Sequence, residues 1–237
     1  MGESTSTNKT LVVVPAFNEE ASVGAVVQQI QLQIQSQVLV VCDASLDETA
    51  TLAAANGAHV LRMASNLGAW TATQCGLRYA LREGYSTVVT MDADGQHRPE
   101  DIQTLLAPVV AGEADVVIGS CTHRGSPLRH IAWRLIRNAS GLRYDDLTSG
   151  FRAINQKGIK ALCSRCATNF DYQDVGVLLL LEAAGCKLLE IPVQMLPRTA
   201  GKSRIFHSWL VVFRYMMETL VLGLTKRSFE RKPHAPR

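Results

Sequence analysis

Between Thr10 and Gly119 the chain repeats one pattern: a short unbroken run of Val, Leu and Ile, followed by a longer stretch with helical spacing. Apolar runs this short, without polar alternation, are strands covered on both faces, and the stretches between them are the covering helices. The runs stand at Thr10 to Val14 and near Val38 to Cys42, His59 to Arg62, Ser86 to Met91 and Asp115 to Gly119. Helices are expected from Pro15-Ala-Phe-Asn-Glu-Glu through about Gln35, and from near Asp47, Ala69 and Pro99. The pattern predicts an α/β fold with a mostly parallel central sheet flanked by helices. With 237 residues, 47% of them apolar, the chain is long enough to bury a sizeable core. No fixed-period repeat is present.

Such a sheet suits many enzymes, and two are excluded by their missing phosphate loops. No G-x-G-x-x-G follows the first strand, where Pro15-Ala-Phe-Asn-Glu-Glu stands instead, and no G-x-x-x-x-G-K-[ST] occurs. What the sheet does carry is Val88-Val-Thr-Met-Asp92-Ala93-Asp94-Gly-Gln96-His-Arg-Pro99-Glu100, two aspartates at the carboxyl end of a strand ahead of a Pro-started helix. Carboxylates at alternating positions there can converge on one hard cation that also holds a phosphate, with Gln96 adding a neutral oxygen. Taken alone, a helix-capping acidic turn explains the same residues equally well.

The second half changes character. Helices are expected near Leu128 to Ala139, Gln156 to Leu162 and Val175 to Ala184, with a strand near Lys187 to Pro192. No Gly/Ser/Pro linker divides the halves, so one catalytic domain over residues 1–204 is expected, with an acceptor-side extension inside it. The six cysteines are scattered through apolar or helical contexts, and no secretory leader is read. A reducing, cytoplasmic setting without a disulfide framework follows. Cys163-Ser-Arg-Cys166 has C-x-x-C spacing, but no second pair or nearby His completes a zinc site.

The formal net charge of +3 is uneven, with Lys226, Arg227, Arg231, Lys232 and Arg237 against Glu230 in the last residues. Ahead of this basic tail (226–237), the apolar stretch Ile205 to Leu224 approaches membrane-spanning length, but Arg214 and Glu218 lie one helical turn apart at its middle. A charged pair at the bilayer centre is costly, so residues 205–225 are expected to form an interfacial amphipathic helix. Peripheral attachment to the cytoplasmic face of a membrane is the expectation, with packing on its own domain or in a homodimer as the alternative. Nucleic acid is not an expected partner, since a stacking surface of interleaved aromatics is lacking.

Taken in order, six segments from Val12 to Arg204 resemble a family 2 glycosyltransferase of GT-A type, in the dolichyl-phosphate mannosyltransferase and undecaprenyl-phosphate sugar transferase branch. They are Pro-Ala-Phe-Asn-Glu-Glu, Cys42-Asp43-Ala44-Ser45-Leu-Asp47-Glu-Thr49, Asn66-Leu-Gly68, the Asp-Ala-Asp run, Ser-Gly-Phe-Arg-Ala and Pro-Arg-x-x-Gly-Lys-Ser. The resemblance implies a nucleotide-diphospho-sugar donor, a polyprenyl phosphate acceptor and Mg²⁺ or Mn²⁺. By position, Pro15, Phe17 and Glu19 match residues lining the nucleotide pocket, and Val41 and Asp43 match a backbone and a carboxylate contact to the nucleoside. A turn or helix cap is the other reading of Asp43. Asp92, Ala93 and Asp94 match the diphosphate and metal site, with Gln96 a further ligand. Arg198, Lys202 and Arg204 match a basic loop over the phosphates, where guanidinium groups bind oxygens bidentately. Asp174 stands where the superfamily places an acidic residue facing the acceptor, as a base for a hydroxyl or an orienting group near a phosphate, while Asp171 equally fits a helix cap. Arg152 matches either an acceptor-phosphate contact or a structural partner of Asp146.

Three residues depart from the pattern. Cys42 replaces the first of a usual aspartate pair, Ala44 a usual Gly or Asn, and Cys121 an arginine for which Arg124 or Arg129 can substitute. Transfer to a saccharide hydroxyl in surface polysaccharide or glycan synthesis, and nucleotide-sugar binding without turnover, are the competing readings. A lipid phosphate, with a second pKa near ~6, is already largely ionised at neutral pH and needs no strong general base.

Overall fold

A computed structural model describes residues 9–121, 137, 141–169 and 175–196. Seven strands form one sheet: β1 (Thr10–Ala16), β2 (Gln37–Cys42), β3 (His59–Arg62), β4 (Thr87–Thr90), β5 (Val116–Ser120), β6 (Arg152–Asn155) and β7 (Leu188–Pro192). Their spatial order is β3-β2-β1-β4-β6-β5-β7. All run parallel except β6, which lies antiparallel between β4 and β5. The expected α/β architecture with a mostly parallel sheet is therefore present, and β6 is the element the sequence pattern missed. Its four residues, Arg-Ala-Ile-Asn, hold two apolar side chains between a charge and an amide and so lack the continuous Val/Leu/Ile run that marks the other strands.

The continuous apolar runs are two-faced, as their composition requires. Along β1, Leu11 and Val13 join one core cluster while Val12 and Val14 join the other. Helices α1 (Val23–Gln33) and α4 (Ile102–Val110) supply the second face, with α2 (Thr49–Ala55) beside them. The first face is covered by α3 (Ala69–Arg82), α5 (Gln156–Leu162) and α6 (Val175–Ala183). Each Val, Leu or Ile enclosed this way contributes about 1.5–3 kcal/mol relative to exposure.

Local chemistry sets the element ends. Asn155 caps α5, its side-chain oxygen accepting from Gly158 N at 3.0 Å. Pro99 opens a 3₁₀ turn (Pro99–Asp101) leading into α4, which suits a residue with fixed φ and no N–H to lose. Helix α3 crosses β1 at a glycine: a Cβ on Gly76 would lie 2.3 Å from a Val13 methyl carbon, so only glycine permits this approach. Two long-range bonds hold the later segments to α3, from Trp70 Nε1 to Ala167 O (2.8 Å) and from Gln74 Nε2 to Leu162 O (2.9 Å). They tie the segments that follow β6 to a helix of the first half.

The expected helix near Leu128 to Ala139 falls almost wholly outside the described residues, and the segments 205–225 and 226–237 lie outside them entirely. No helix among the described residues is long and apolar enough to cross a membrane. All six cysteines carry free thiols, and burial pushes the Cys163 thiol up to about 11.

At the amino edge of the sheet, Asp115 staples three segments. Its carboxylate accepts from Asn155 Nδ2 (2.7 Å), Lys157 Nζ (3.1 Å) and Lys187 N (2.8 Å). Burial by itself pushes this carboxyl up, but these bonds outweigh it and hold it below its ordinary value. A depressed folded pKa means stabilisation that is full above the unfolded value of about 3.9 and is lost as pH falls through the folded one. Asp115→Ala is expected to cost about 2–3 kcal/mol in urea denaturation at pH 7, with the gap to wild type narrowing below about pH 4.

Candidate active site

The strand order reverses between β1 and β4, because β1 continues to β2 on one side while β4 leads away on the other. In open α/β sheets the crevice beyond the carboxyl ends at such a point is where ligands bind. Pro15 and Ala16, Cys42 and Asp43, and Asp92 to Asp94 all leave the sheet at this edge. So do Ser120 and Cys121 at the end of β5, and Arg152 at the start of antiparallel β6, in register with Thr90.

On the first side, two loops are sewn together reciprocally. Asn18 N donates to Ser45 Oγ (3.0 Å) while Asn18 Oδ1 accepts from Leu46 N (2.9 Å). Glu20 N donates to Asp47 Oδ2 (3.2 Å) while Glu20 Oε2 accepts from Glu48 N (3.1 Å), and Glu19 N donates to Thr49 Oγ1 (2.7 Å). Burial alone pushes the Asp47 carboxyl up, but its bonds from Thr49 and Glu20 hold it below its ordinary value. This clamp fixes the loops that carry Phe17 and Asp43. It was missed in the sequence because neither loop has a pattern that shows which other loop it faces.

Pro15 and Val41 are in register on neighbouring strands and both are buried, so what Val41 offers a ligand is backbone. Phe17 and Glu19 are partly exposed at the loop. Asp43, 2% exposed, accepts from Leu67 N and Gly68 N, both at 2.8 Å. These long-range bonds anchor the loop ahead of α3 to the carboxyl end of β2. Ala44 is one of two non-glycine residues among those described with a left-handed backbone, at φ 55°, the other being Asn18 at φ 50°. That explains why Gly or Asn suits the position: both tolerate left-handed φ better than Ala. Cys42 ends β2 with its side chain enclosed.

On the second side, Asp92 and Asp94 extend from β4. Asp94 is buried at 5% exposure and its Oδ1 accepts from Gln96 N (3.0 Å), while the Asp92 side chain is 44% exposed. Ala93 is buried between them. Asp92 N donates to His97 Nδ1 (3.2 Å), and the enclosed His97 ring stacks on Phe151 with centroids 5.0 Å apart. With Nδ1 accepting, the His97 proton sits on Nε2, 3.8 Å from Asp92 Oδ2. No cluster of three or more His, Cys, Asp or Glu suited to a metal occurs among the described residues. The donors that are present, two carboxylates and the Gln96 amide, are all oxygen, the chemistry of a hard cation that takes its remaining ligands from phosphate and water.

The later chain returns to this spot. Leu196 N donates to Gln96 O (2.8 Å), Met195 bridges His97, and Arg98 Nη1 donates to Gln194 Oε1 (2.8 Å). Arg198, Lys202 and Arg204 follow in the chain but lie outside the described residues, as do Asp171, Asp174, Arg124 and Arg129. Arg152 is 1% exposed, which assigns its guanidinium to the interior rather than to a solvent-facing rim. The Asp146 carboxylate accepts from Cys121 N (3.2 Å), Thr148 N (3.0 Å) and Thr148 Oγ1 (3.0 Å). The backbone N–H of residue 121 thus secures this loop, whichever side chain stands there.

Replacing Ala44 by Gly is expected to raise stability by about 0.5–1 kcal/mol in urea denaturation, the relief of left-handed strain exceeding the entropy glycine adds to the unfolded chain.

Residues 11–169 match the family described as Glycosyl transferase family 2. The chain is 30% identical over 217 residues to a polyprenol monophosphomannose synthase of Mycolicibacterium smegmatis, covering 84% of this chain and 82% of that protein. It is 30% identical over 214 residues to an undecaprenyl-phosphate mannosyltransferase of Micrococcus luteus, covering 83% and 87%. Among solved structures, glucosyl-3-phosphoglycerate synthase from Mycobacterium tuberculosis in complex with Mn²⁺, UDP-glucose and phosphoglyceric acid superposes with a TM-score of 0.67 at 20% identity, covering 92% of this chain and 80% of that one. The clamped loops, the Asp-Ala-Asp edge and these likenesses agree, and the chain belongs to glycosyl transferase family 2, built on the GT-A fold.

Proposed function

We propose that this protein transfers a sugar, with inversion, from a nucleotide-diphospho-sugar to a polyprenyl phosphate. The observation that carries the reading is the Asp92-Ala93-Asp94 edge at the switch point, in a chain whose similarity to two polyprenyl-phosphate enzymes runs through both the donor-side and acceptor-side halves. The clamped loops with Pro15, Phe17, Glu19 and the backbone of Val41 form the nucleoside side of the site, shaped by Asp43 through its hold on residues 67 and 68. Asp92, Asp94 and Gln96 would hold Mg²⁺ or Mn²⁺; when bound, the ion would supply a Lewis acid that offsets charge growing on the leaving group.

An acceptor phosphate oxygen bonds to the anomeric carbon as the bond to the nucleoside diphosphate breaks on the opposite face. Because the nucleophile is already ionised, the protein's work is positioning and electrostatics rather than proton removal. Arg198, Lys202 and Arg204 are proposed to bind the diphosphate from the segment that leaves the described chain beside Gln96. Asp174 is proposed to orient the acceptor. A peripheral seat at the cytoplasmic membrane face, through residues 205–237, would bring the site to a lipid acceptor.

The test is transfer of radiolabel from a panel of UDP- and GDP-sugars to polyprenyl phosphate in vesicles. Glycolipid formation is expected to vanish with EDTA and to fall about 10²-fold or more in Asp94→Ala. Transfer only to a soluble sugar hydroxyl, or nucleotide binding without any transfer, overturns the lipid-phosphate reading.

A further inference from the structure

The carboxylate of Asp92 is shaped from the acceptor side of the sheet. A Cβ built on Gly150 would lie 2.9 Å from Asp92 Oδ1 and 3.3 Å from Oδ2. The φ of Gly150 is not left-handed, so its lack of a side chain answers to space and not to backbone conformation. The turn has little room to withdraw, since three bonds pin it. Thr90 Oγ1 donates to Gly150 O (2.7 Å), Ser149 Oγ to Gly119 O (2.5 Å), and Gly119 N to Phe151 O (2.9 Å). Farther back, Glu190 of β7 accepts from Asp145 N and Asp146 N, both at 2.7 Å, and Asp146 holds Thr148. The next residue, Phe151, is fully enclosed and backs the His97 ring, whose Nδ1 accepts the N–H of the same Asp92.

We propose that the Gly150-Phe151 dipeptide is a positioning element for Asp92. Glycine leaves the volume the carboxylate occupies, and Phe151 holds His97 against the Asp92 backbone. This deepens the metal role proposed for Asp92 and rests on it. Between a pinned turn and a side chain that is 44% exposed, the side chain yields. A methyl group at 150 therefore swings the Asp92 carboxylate out of place at small cost in stability. The segment that borders the acceptor side thereby governs the geometry of the donor's metal ligand.

The test is a double-mutant cycle on the full chain with Gly150→Ala, Asp92→Ala and the pair. It is read by Mn²⁺ titration followed by EPR, alone and with UDP or GDP, and by Tm. Gly150→Ala is expected to weaken Mn²⁺ binding about tenfold, within the usual range for residues that orient a metal ligand. In the Asp92→Ala background the same substitution should change neither Mn²⁺ binding nor Tm, because the atom it displaces is gone. Gly158→Ala is the control for simple overpacking: its Cβ would lie 2.7 Å from Ile154 and 2.9 Å from Val116, so Tm falls while Mn²⁺ affinity holds.

Wild-type Mn²⁺ affinity in Gly150→Ala, or a loss that adds fully to that of Asp92→Ala, overturns the positioning role. If Asp92→Ala itself binds Mn²⁺ as wild type does, the metal reading falls instead. The Tm cycle then still decides whether Gly150 acts on Asp92. Should Gly150→Ala fail to fold, recovery of folding in the pair supports the role and continued failure overturns it.

Discussion

The pairing of β1 with β4 is the constraint on which the rest of the site depends. Val13 stands opposite Thr90, and Met91 N reaches back to Val13 O at 3.1 Å, so the ladder runs to the residue before Asp92. Because β1 also pairs with β2 through Ala16 and Cys42, one buried strand fixes the relative height of the loops after β1 and β2 and of the aspartates. Its side chains are enclosed on both faces, and a slip of one residue would exchange those faces. The apolar core thus sets the register of a polar edge.

What the edge lacks in regular structure it recovers through paired side-chain and backbone bonds. The loops after β1 and β2 contain acidic residues that would repel one another if left to solvent. Instead Glu20 and Asp47 each accept an N–H from the opposite loop, and Asn18 both gives and receives. Satisfying donors across the gap in both directions makes a rigid floor from two short loops, which is how binding energy is kept from being spent on ordering them.

The antiparallel strand β6 does the corresponding work on the other side. By running against its neighbours it delivers its amino end, with Ser149, Gly150 and Phe151 before it, to the edge where the parallel strands deliver their carboxyl ends. A parallel strand in that place would put the preceding turn at the opposite edge of the sheet. The reversal is what brings the Ser-Gly-Phe-Arg segment, about 60 residues beyond Asp92 in the chain, to that carboxylate.

By itself the sequence determined the sheet and its covering, since continuous runs such as Leu11 to Val14 and Val38 to Val41 are stable only between two apolar layers. It also determined the oxygen-donor edge, because Asp92, Asp94 and Gln96 are neighbours whose spacing is local. Residue order alone did not decide which loops would meet. Only the tertiary structure put Asn18 against Ser45, Asp43 against Gly68 and Gly150 against Asp92. It likewise enclosed Arg152, which sequence left open between acceptor and Asp146. The physical reason is that strand and helix periodicity are written in near neighbours, whereas a contact across the crevice is set by strand order and direction, and four residues such as β6 carry no periodic signal of either.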